Sequence, residues 1–377
     1  MKIAAVDLFP VALPMHAVLT LPRGPSRTIA EGKQIVLTRV TADDGTVGWG
    51  EAGPSRRWSA ETVHSCYTSL KHFLAPAVIG RDPFDIAGLH AAMNQELAPG
   101  LDPGQPVAKS AIDIAVHDLV CRKLGIPLQA WLGTRLSDRV EMARLVSAPD
   151  PDKAAELTEK AKADGYKGFK VKVGGNRPEH DAAVLEAVVK AAGDGYVWPD
   201  ANQGYTLDAA IVLARACERL GITMFEQPVA MSDTYAMKKL LSATSVRIVL
   251  DEAAMGLPFI VELLRREAVE GLAIKITKCG GLHYARQMCD LARNAGLTLI
   301  GSGLMDAPIN FSASVHLFAG YGMDLPVDLN GPQFISDDYL AKPVPMDGKA
   351  ALVADAPGHG LEVDMDKVTR YALDLAA

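Results

Sequence analysis

The rhythm of apolar and polar positions changes part-way along this 377-residue chain. Over roughly the first 60 residues it is strand-like: 3–13, 34–41 and 47–51 alternate or run apolar, and Asp43-Asp44-Gly45 supplies a hairpin turn between the last two. Between the first two, Pro14, Pro22, Gly24 and Pro25 break any regular element, so a long loop is expected. Helical spacing follows at 61–74 and 85–96. A third helix at 108–124 carries Ile112, Ile114, Ala115, Leu119 and Val120 before Gly125 stops it. Residues 1–125 therefore read as an α+β domain.

From about residue 138, strand and helix signals alternate strictly. Residues 140–146 predict a strand, and Asp150-Pro151 then opens a helix that Gly165 ends. Thr206 caps another, with Ala210, Ile211, Ala214, Cys217 and Leu220 on its apolar face. Ser232 opens the next, Leu257-Pro258 the one after, and 282–295 a further one closed by Gly296. Runs at 298–301 and 323–329 bring the count to eight strands with helices between, the pattern of an α/β barrel. After Asp347 short alternating segments return. The expected organisation is a capping domain of residues 1–125, joined by 350–377, and a barrel of residues 126–349.

Five charged residues keep step with this alternation. Lys172, Asp200, Glu226, Asp251 and Lys275 follow one another at gaps of 28, 26, 25 and 24 residues, each at or beside the end of a short apolar run. The C-terminal strand ends of a parallel barrel converge on one mouth. Mg²⁺ or Mn²⁺ prefers hard oxygen ligands and keeps positions open for water or substrate. Three carboxylates buried together without a cation would suffer mutual repulsion and desolvation. One such acid alone is more often a strand-end cap or an ion-pair partner; three in step point to a cation. Lys170 and Lys172, two apart on one strand, share a face. A lysine acts as a base only when neutral, and a neighbouring ammonium or cation favours that form. Lys172 is thus the expected base and Lys170 the group that tunes it and meets the substrate carboxylate, the alternative being a solvated pair on an edge strand. Lys275 lies roughly across the barrel, so a proton can leave one face of a carbon and return to the other. Lys278 is expected in the loop behind, Cys279 as a packing residue, and Gly280-Gly281 as a place where backbone approaches the site.

The segments Phe169-Lys170-Val171-Lys172, Pro199-Asp200-Ala201-Asn202, Phe225-Glu226-Gln227-Pro228, Leu250-Asp251-Glu252 and Ile274-Lys275-Ile276-Thr277-Lys278-Cys279-Gly280-Gly281 carry a resemblance. With Ala108-Lys109-Ser110-Ala111-Ile112-Asp113, they resemble the enolase superfamily, specifically the muconate lactonizing (muconate cycloisomerase) subgroup of the mandelate racemase/muconate lactonizing family. The likeness spans almost the whole chain. It implies a modified TIM barrel, (β/α)₇β, capped by an N-terminal α+β domain. It also implies Mg²⁺ or Mn²⁺ held by Asp200, Glu226 and Asp251, an acid/base pair of Lys172 and Lys275, substrate contacts from Lys170, Asn202 and Asp328, and a homo-oligomer. The mandelate-racemase subgroup would need a histidine after strand seven, and residues 300–306 hold none.

Substrate choice in this family is attributed to two capping loops, here about 15–29 and 52–58, and to the end of strand eight. Arg23, Arg27, Arg56 and Arg57 lie in those loops and are candidates for a second anionic group on the substrate, unless they are solvated surface residues. Asp328 stands where muconate-type enzymes place an acid, and Gly331-Pro332 follows as in them. Asn330 breaks the Asp-x-Asp of dipeptide epimerases, and Met305-Asp306 departs from the muconate pattern. The expected reaction removes the α-proton of a small carboxylate to give a cation-stabilised enolate. Lactone ring closure or opening of the muconate cycloisomerase kind is the first expected outcome. Racemisation or epimerisation of an amino-acid derivative and syn-dehydration use the same site.

Composition narrows the partners. An apolar fraction of 49% with 22% charged residues describes an ordinary soluble globular protein. A net charge of −7 without any basic block argues against a polyanion-binding surface, so no nucleic-acid partner is expected. Five cysteines without paired spacing fit a reducing compartment and neither disulfides nor structural zinc. Asp7 interrupts the start too early for a signal-peptide core, and no apolar run reaches the roughly 18 residues of a membrane span. A cytoplasmic protein without a membrane partner is expected. Two readings of other classes stay open: a Schiff-base aldolase with Lys172 or Lys275 as nucleophile, which has no use for aligned carboxylates, and a non-catalytic binding protein on the same fold.

Overall fold

The computed structural model describes residues 1–375 apart from 23, 134 and 324. Strands β1 (Ile3–Leu13), β2 (Lys33–Ala42) and β3 (Val47–Ala52) form an antiparallel sheet in that order, and helices α1 (Val63–Ser69), α2 (Ile86–Glu96) and α3 (Pro106–Leu124) pack with it. Helix α3 is buried on nearly every side because it lies between two cores. Ala108, Ala111, Ile112, Ala115 and Leu119 join the cap cluster, while Ile114 and Cys121 join the barrel cluster. The approach of β3 to α3 depends on glycine. A Cβ on Gly50 would stand 2.1 Å from the Ala111 carbonyl oxygen, and one on Gly48 would stand 2.1 Å from that of Ala115. Backbone cannot yield as a side chain can, so Gly50→Ala is expected to cost about 3 kcal/mol. The reading is a lower urea midpoint at unchanged slope; an unshifted midpoint counts against this packing.

The stretch read as one strand at 140–146 is two, β4 (Arg139–Glu141) and β5 (Ala143–Val146). From β5 onward, β6 (Gly168–Lys172), β7 (Tyr196–Asp200), β8 (Met224–Glu226), β9 (Arg247–Leu250), β10 (Gly271–Ile274) and β11 (Thr298–Gly301) form a seven-stranded parallel sheet in sequence order. Helices α4 (Pro151–Ala163), α5 (Pro178–Ala192), α6 (Leu207–Arg219), α7 (Thr234–Leu241), α8 (Leu257–Arg265), α9 (Leu282–Asn294) and α10 (Pro308–Tyr321) follow the strands in turn. Asp150 accepts from the Lys153 N–H and Thr206 from the Ala209 N–H, as their cap positions predict. Helix α7 starts two residues later than Ser232 suggested, because Asp233 supplies its capping carboxylate at 2.8 Å from the Ala236 nitrogen.

The ring closes through a staple much shorter than the strand expected at 323–329. Val327 bridges Met142 and Asp328 bridges Ser302, both in parallel. The Val327 N–H donates to the Glu141 carbonyl (2.7 Å), the Ala143 N–H to the Val327 carbonyl (2.8 Å), and the Asp328 N–H to the Gly301 carbonyl (3.0 Å). These bonds reach both edges of the sheet and complete a (β/α)₇β ring. Pro326 lacks a donor and so stops the ladder from extending N-terminally. Inside, Ala143, Trp198, Met224, Val249, Ala273 and Ile300, one from each of six strands, form an apolar layer.

The tail serves both parts. Segments β12 (Met346–Asp347) and β13 (Ala350–Leu352) make a small sheet with β4, whereas Tyr371 and Leu373 exchange backbone bonds with Ala12 and Pro10 of β1. The seam between cap and barrel is also pinned at Asp113 of α3, which accepts the Leu282 N–H at 2.5 Å and lies 2.7 Å from His90 Nε2. Burial opposes its charge, but His117 and His90 outweigh burial and hold the carboxyl well below its ordinary range. Gly280 and Gly281 serve this seam instead of bringing backbone to the site. Gly281 has φ +114°, and a Cβ there would meet Asp113 Oδ1 at 2.2 Å, while one on Gly280 would meet Pro103. Among the described residues no helix is long and apolar enough to cross a membrane.

Candidate active site

Strand register assembles the mouth. Lys172 lies opposite Asp200, and Asp200 opposite Glu226, on three adjacent strands. Asp251 and Lys275 each follow the last residue of their strands, β9 and β10. One carboxylate oxygen from each of Asp200, Glu226 and Asp251 lies within 4.8 Å of the others, and all three residues are buried. From beneath, the indole N–H of Trp198 donates to Glu226 Oε2 at 3.0 Å.

Four ammonium groups surround this trio. Lys170 Nζ lies 2.7 Å from Glu226 Oε1, 3.0 Å from Asp200 Oδ2 and 2.9 Å from Asp328 Oδ2. Lys172 Nζ donates to Asp200 Oδ2 (2.6 Å) and to Asn202 Oδ1 (2.7 Å), at one end of the trio. At the other end, Lys275 Nζ donates to Asp251 Oδ2 (2.5 Å), and Lys278 Nζ to Asp251 Oδ1 (2.7 Å) and the Asp251 carbonyl (2.5 Å).

Burial by itself would neutralise these acids. Against it, Lys170 and Lys172 hold Asp200 down to about 2, and Lys275 and Lys278 hold Asp251 lower still. Glu226 behaves oppositely: burial, with Asp200 and Asp251 alongside, outweighs Lys170 and pushes it up to about 7. Glu252 is likewise pushed up to about 7 by burial and the same two aspartates. It accepts the Asn202 amide at 3.1 Å, while its Oε2 is buried and unpartnered. Three hard carboxylate oxygens within 4.8 Å of one another fit a divalent cation.

The structure brings together every residue of the expected site, though not in every expected posture. Lys170 is wholly buried and its three contacts are all carboxylates, which raise it well above the usual lysine range against the effect of burial. It is a strut beneath the trio, with its charge already balanced. Lys278 reaches Asp251 directly from a tight turn after β10; nothing in local periodicity sets that direction. Cys279 is a buried packing residue whose thiol burial pushes up to about 11.

Leu19, Leu21 and Trp58 from the cap and Leu304, Met305, Asp328 and Asn330 from the barrel wall the mouth. Trp58 lays its ring over Lys275, with Nζ 4.2 Å from the centroid, a contact no sequence pattern announced. The arginines expected to meet a second anion turn elsewhere. Arg27 donates to the Gly32 and Pro54 carbonyls, Arg57 to that of Pro25, and Arg56 pairs with Glu31. The irregular cap loops leave carbonyls that these guanidinium groups satisfy. Arg23 lies outside the described residues. Two buried polar atoms on the mouth wall have no partner: the Trp58 indole nitrogen and Asn330 Oδ1. The Asn330 amide nitrogen donates to Asp328 Oδ1 at 2.9 Å, which decides which end of the side chain is left unsatisfied.

A parallel barrel whose mouth holds three buried carboxylates between two lysines defines a metal-dependent acid–base enzyme. Residues 152–367 match the family described as Enolase C-terminal domain-like, and residues 11–133 match the Mandelate racemase / muconate lactonizing enzyme, N-terminal domain. The chain is 30% identical over 370 residues to the N-succinyl-L-Arg/Lys racemase of Bacillus cereus, covering 97% of this chain and 96% of that protein. The crystal structure of that racemase agrees with a TM-score of 0.92 over 99% of both chains. Identity to a chloromuconate cycloisomerase of Cupriavidus necator is 29% over 379 residues, 98% of this chain and 99% of that one. A dipeptide epimerase of Enterococcus faecalis, solved with Mg and the dipeptide L-Leu-L-Tyr, is 26% identical with a TM-score of 0.89, over 96% and 100% of the chains. The protein belongs to the mandelate racemase/muconate lactonizing enzyme family of the enolase superfamily. It is an isomerase of that superfamily, and its reaction begins with divalent-cation-dependent removal of a proton α to a carboxylate. The Schiff-base and non-catalytic readings are thereby set aside.

Proposed function

We propose that this protein racemises or epimerises an amino acid whose α-nitrogen carries an acyl group, in the cytoplasm and with Mg²⁺ on Asp200, Glu226 and Asp251. The observation that carries this reading is the unpartnered pair on the mouth wall, one N–H donor at Trp58 and one oxygen acceptor at Asn330. An amide presents the complementary acceptor and donor, and leaving such buried groups unmet costs about 1–3 kcal/mol each. A muconate offers no N–H for Asn330, and no described arginine lines the mouth to meet its second carboxylate. The N-succinyl amino-acid racemase and the dipeptide epimerase among the relatives are named for substrates with such an amide. The five described cysteines are free and buried, which supports a reducing compartment.

The cation would supply the positive charge that acidifies the α-carbon and offsets charge developing on the carboxylate. The chain's own groups do the rest. Lys172, oriented by Asp200 and Asn202, and Lys275, oriented by Asp251, stand at the two ends of the trio. One takes the α-proton while the other, already protonated, delivers a proton to the opposite face. The Trp58 ring covers Lys275 and excludes water from that side.

Muconate ring closure is the second reading. It is favoured by Asp328, a buried acid at the eighth position of the ring, where the muconate-type resemblance places one. N-succinyl and N-acetyl amino acids, dipeptides, free amino acids and muconates incubated in D₂O with Mg²⁺ and read by mass spectrometry separate the two. Gain of one deuterium with loss of optical activity is expected for the N-acyl compounds and none for the free amino acids. Conversion of muconate to lactone, with the N-acyl compounds retaining their α-protons, would overturn the first reading.

A further inference from the structure

One buried lysine takes no part in the chemistry above. Lys33, at the start of β2, is wholly buried, and its ammonium donates to the carbonyl of Gly53 (3.1 Å) and to the carbonyl of Leu304 (2.9 Å). These acceptors belong to different parts of the molecule. Gly53 opens the cap loop that carries Trp58, and Leu304 belongs to the barrel loop that walls the mouth. The residue after Leu304 is under backbone strain. Met305 has φ +57°, a left-handed conformation that a residue with a side chain keeps only where its surroundings impose it. Its side chain is buried against Met15, Leu145 and Phe334 as part of the mouth wall.

The peptide groups on the two sides of Leu304, just before Met305, are each held. The Leu304 N–H donates to Asp306 Oδ1 at 3.3 Å, and the Leu304 carbonyl is the one that Lys33 grips. Glu51 stands near, accepting the Asn310 N–H at 3.1 Å and the Tyr339 hydroxyl. Burying an ammonium is costly, and here burial with Arg27 brings Lys33 down to about 7 against the pull of Asp306 and Glu51. A methionine or leucine would fill the same space without that cost, so the bonds the ammonium makes are what distinguishes a lysine here.

We propose that Lys33 is a positioning residue for substrate binding: by holding the Gly53 and Leu304 carbonyls on one ammonium, it fixes Met305 in its left-handed turn and locks the Trp58 loop against the wall it faces. This rests on the mouth being the substrate pocket, and it assigns the shape of that pocket to a residue that never touches the substrate.

Lys33→Met keeps the bulk and removes the donors. For whichever carboxylate the wild type turns over, KM is expected to rise about tenfold, the loss of roughly one hydrogen bond. The turnover number should stay within about threefold, since the trio and both bases are untouched. In ligand-free protein, amide hydrogen exchange of residues 303–306 should speed up about tenfold while that of α3 is unchanged. Lys33→Gln, with a shorter donor for one carbonyl, should fall between. Unchanged KM, unchanged exchange at 303–306, or activity lost only in proportion to the folded fraction would overturn the proposal. So would failure of both variants to fold, which would make Lys33 a stability residue alone. The exchange measurement needs no substrate, so a wild type silent towards every carboxylate refutes the proposed reaction while the clamp is still judged on its own.

Discussion

Lys172→Ala should abolish α-proton exchange from one enantiomer of an N-acyl amino acid, by about 10³-fold or more, and leave exchange from the other within about tenfold. Lys275→Ala should do the reverse. Lys172 meets the trio at Asp200 and Lys275 meets it at Asp251, so they address a carbon held over it from opposite ends. Removing one amine removes the base assigned to that face. The other still takes its proton, and solvent deuterium still washes in from its side. The measurement is deuterium incorporation into each pure enantiomer, followed by mass spectrometry at early times. Equal loss from both enantiomers in either variant would show that the lysines act as a unit, and the two-base assignment would fail. Binding of Mg²⁺ by calorimetry serves as the control, because Lys172 also donates to a proposed ligand, Asp200.

Asp251→Asn and Glu226→Gln should both abolish Mg²⁺ binding, with activity down by about 10³-fold, yet they should differ sharply in stability. Asp251 is fully charged in the fold and is the partner of two buried ammonium groups, Lys275 and Lys278. An amide there leaves one oxygen and the backbone carbonyl but no charge to balance either ammonium, and breaking a buried pair in this way costs about 3–5 kcal/mol. Glu226 is held near neutrality by burial and by its two acidic neighbours. A glutamine keeps an oxygen for Lys170 but turns its NH2 against the Trp198 indole N–H, a loss of about 1–2 kcal/mol. Urea unfolding of the metal-free variants, alongside Mg²⁺ calorimetry, tests this ordering. Equal destabilisation would mean that the charge states assigned to the two acids are wrong. Wild-type rates in the presence of a chelator would remove the cation from the reaction altogether.

Much of this site is legible before any coordinate is known, for a specific reason. A parallel strand and its returning helix take a nearly constant number of residues, so charged residues spaced at that interval must arrive at the same end of successive strands. Lys172, Asp200, Glu226, Asp251 and Lys275 obey this, and helix signals such as Asp150, Thr206 and Gly125 sit where the caps form. The readings that failed concern contacts between segments that no local rule connects. Arg27, Arg56 and Arg57 had the right charge for a second substrate anion, but carbonyls of the irregular cap loops and Glu31 take them. The glycine pair after Lys278 answers to Asp113 and Pro103 of the cap. The last strand is reduced to a staple because its length depends on the two edges it joins and on Pro326 beside it.

Sequence by itself determined the repeating unit, the five charged residues at one mouth and the class of chemistry they can perform, since periodicity and strand polarity are properties of a single stretch of chain. Tertiary structure decided how the mouth is walled. Trp58 over Lys275, Lys278 on Asp251, the unmatched atoms of Trp58 and Asn330, and Lys33 bridging cap and barrel all arise where distant segments meet. A side chain's direction across such a seam is set by packing against both walls at once, and no pattern within either wall encodes it.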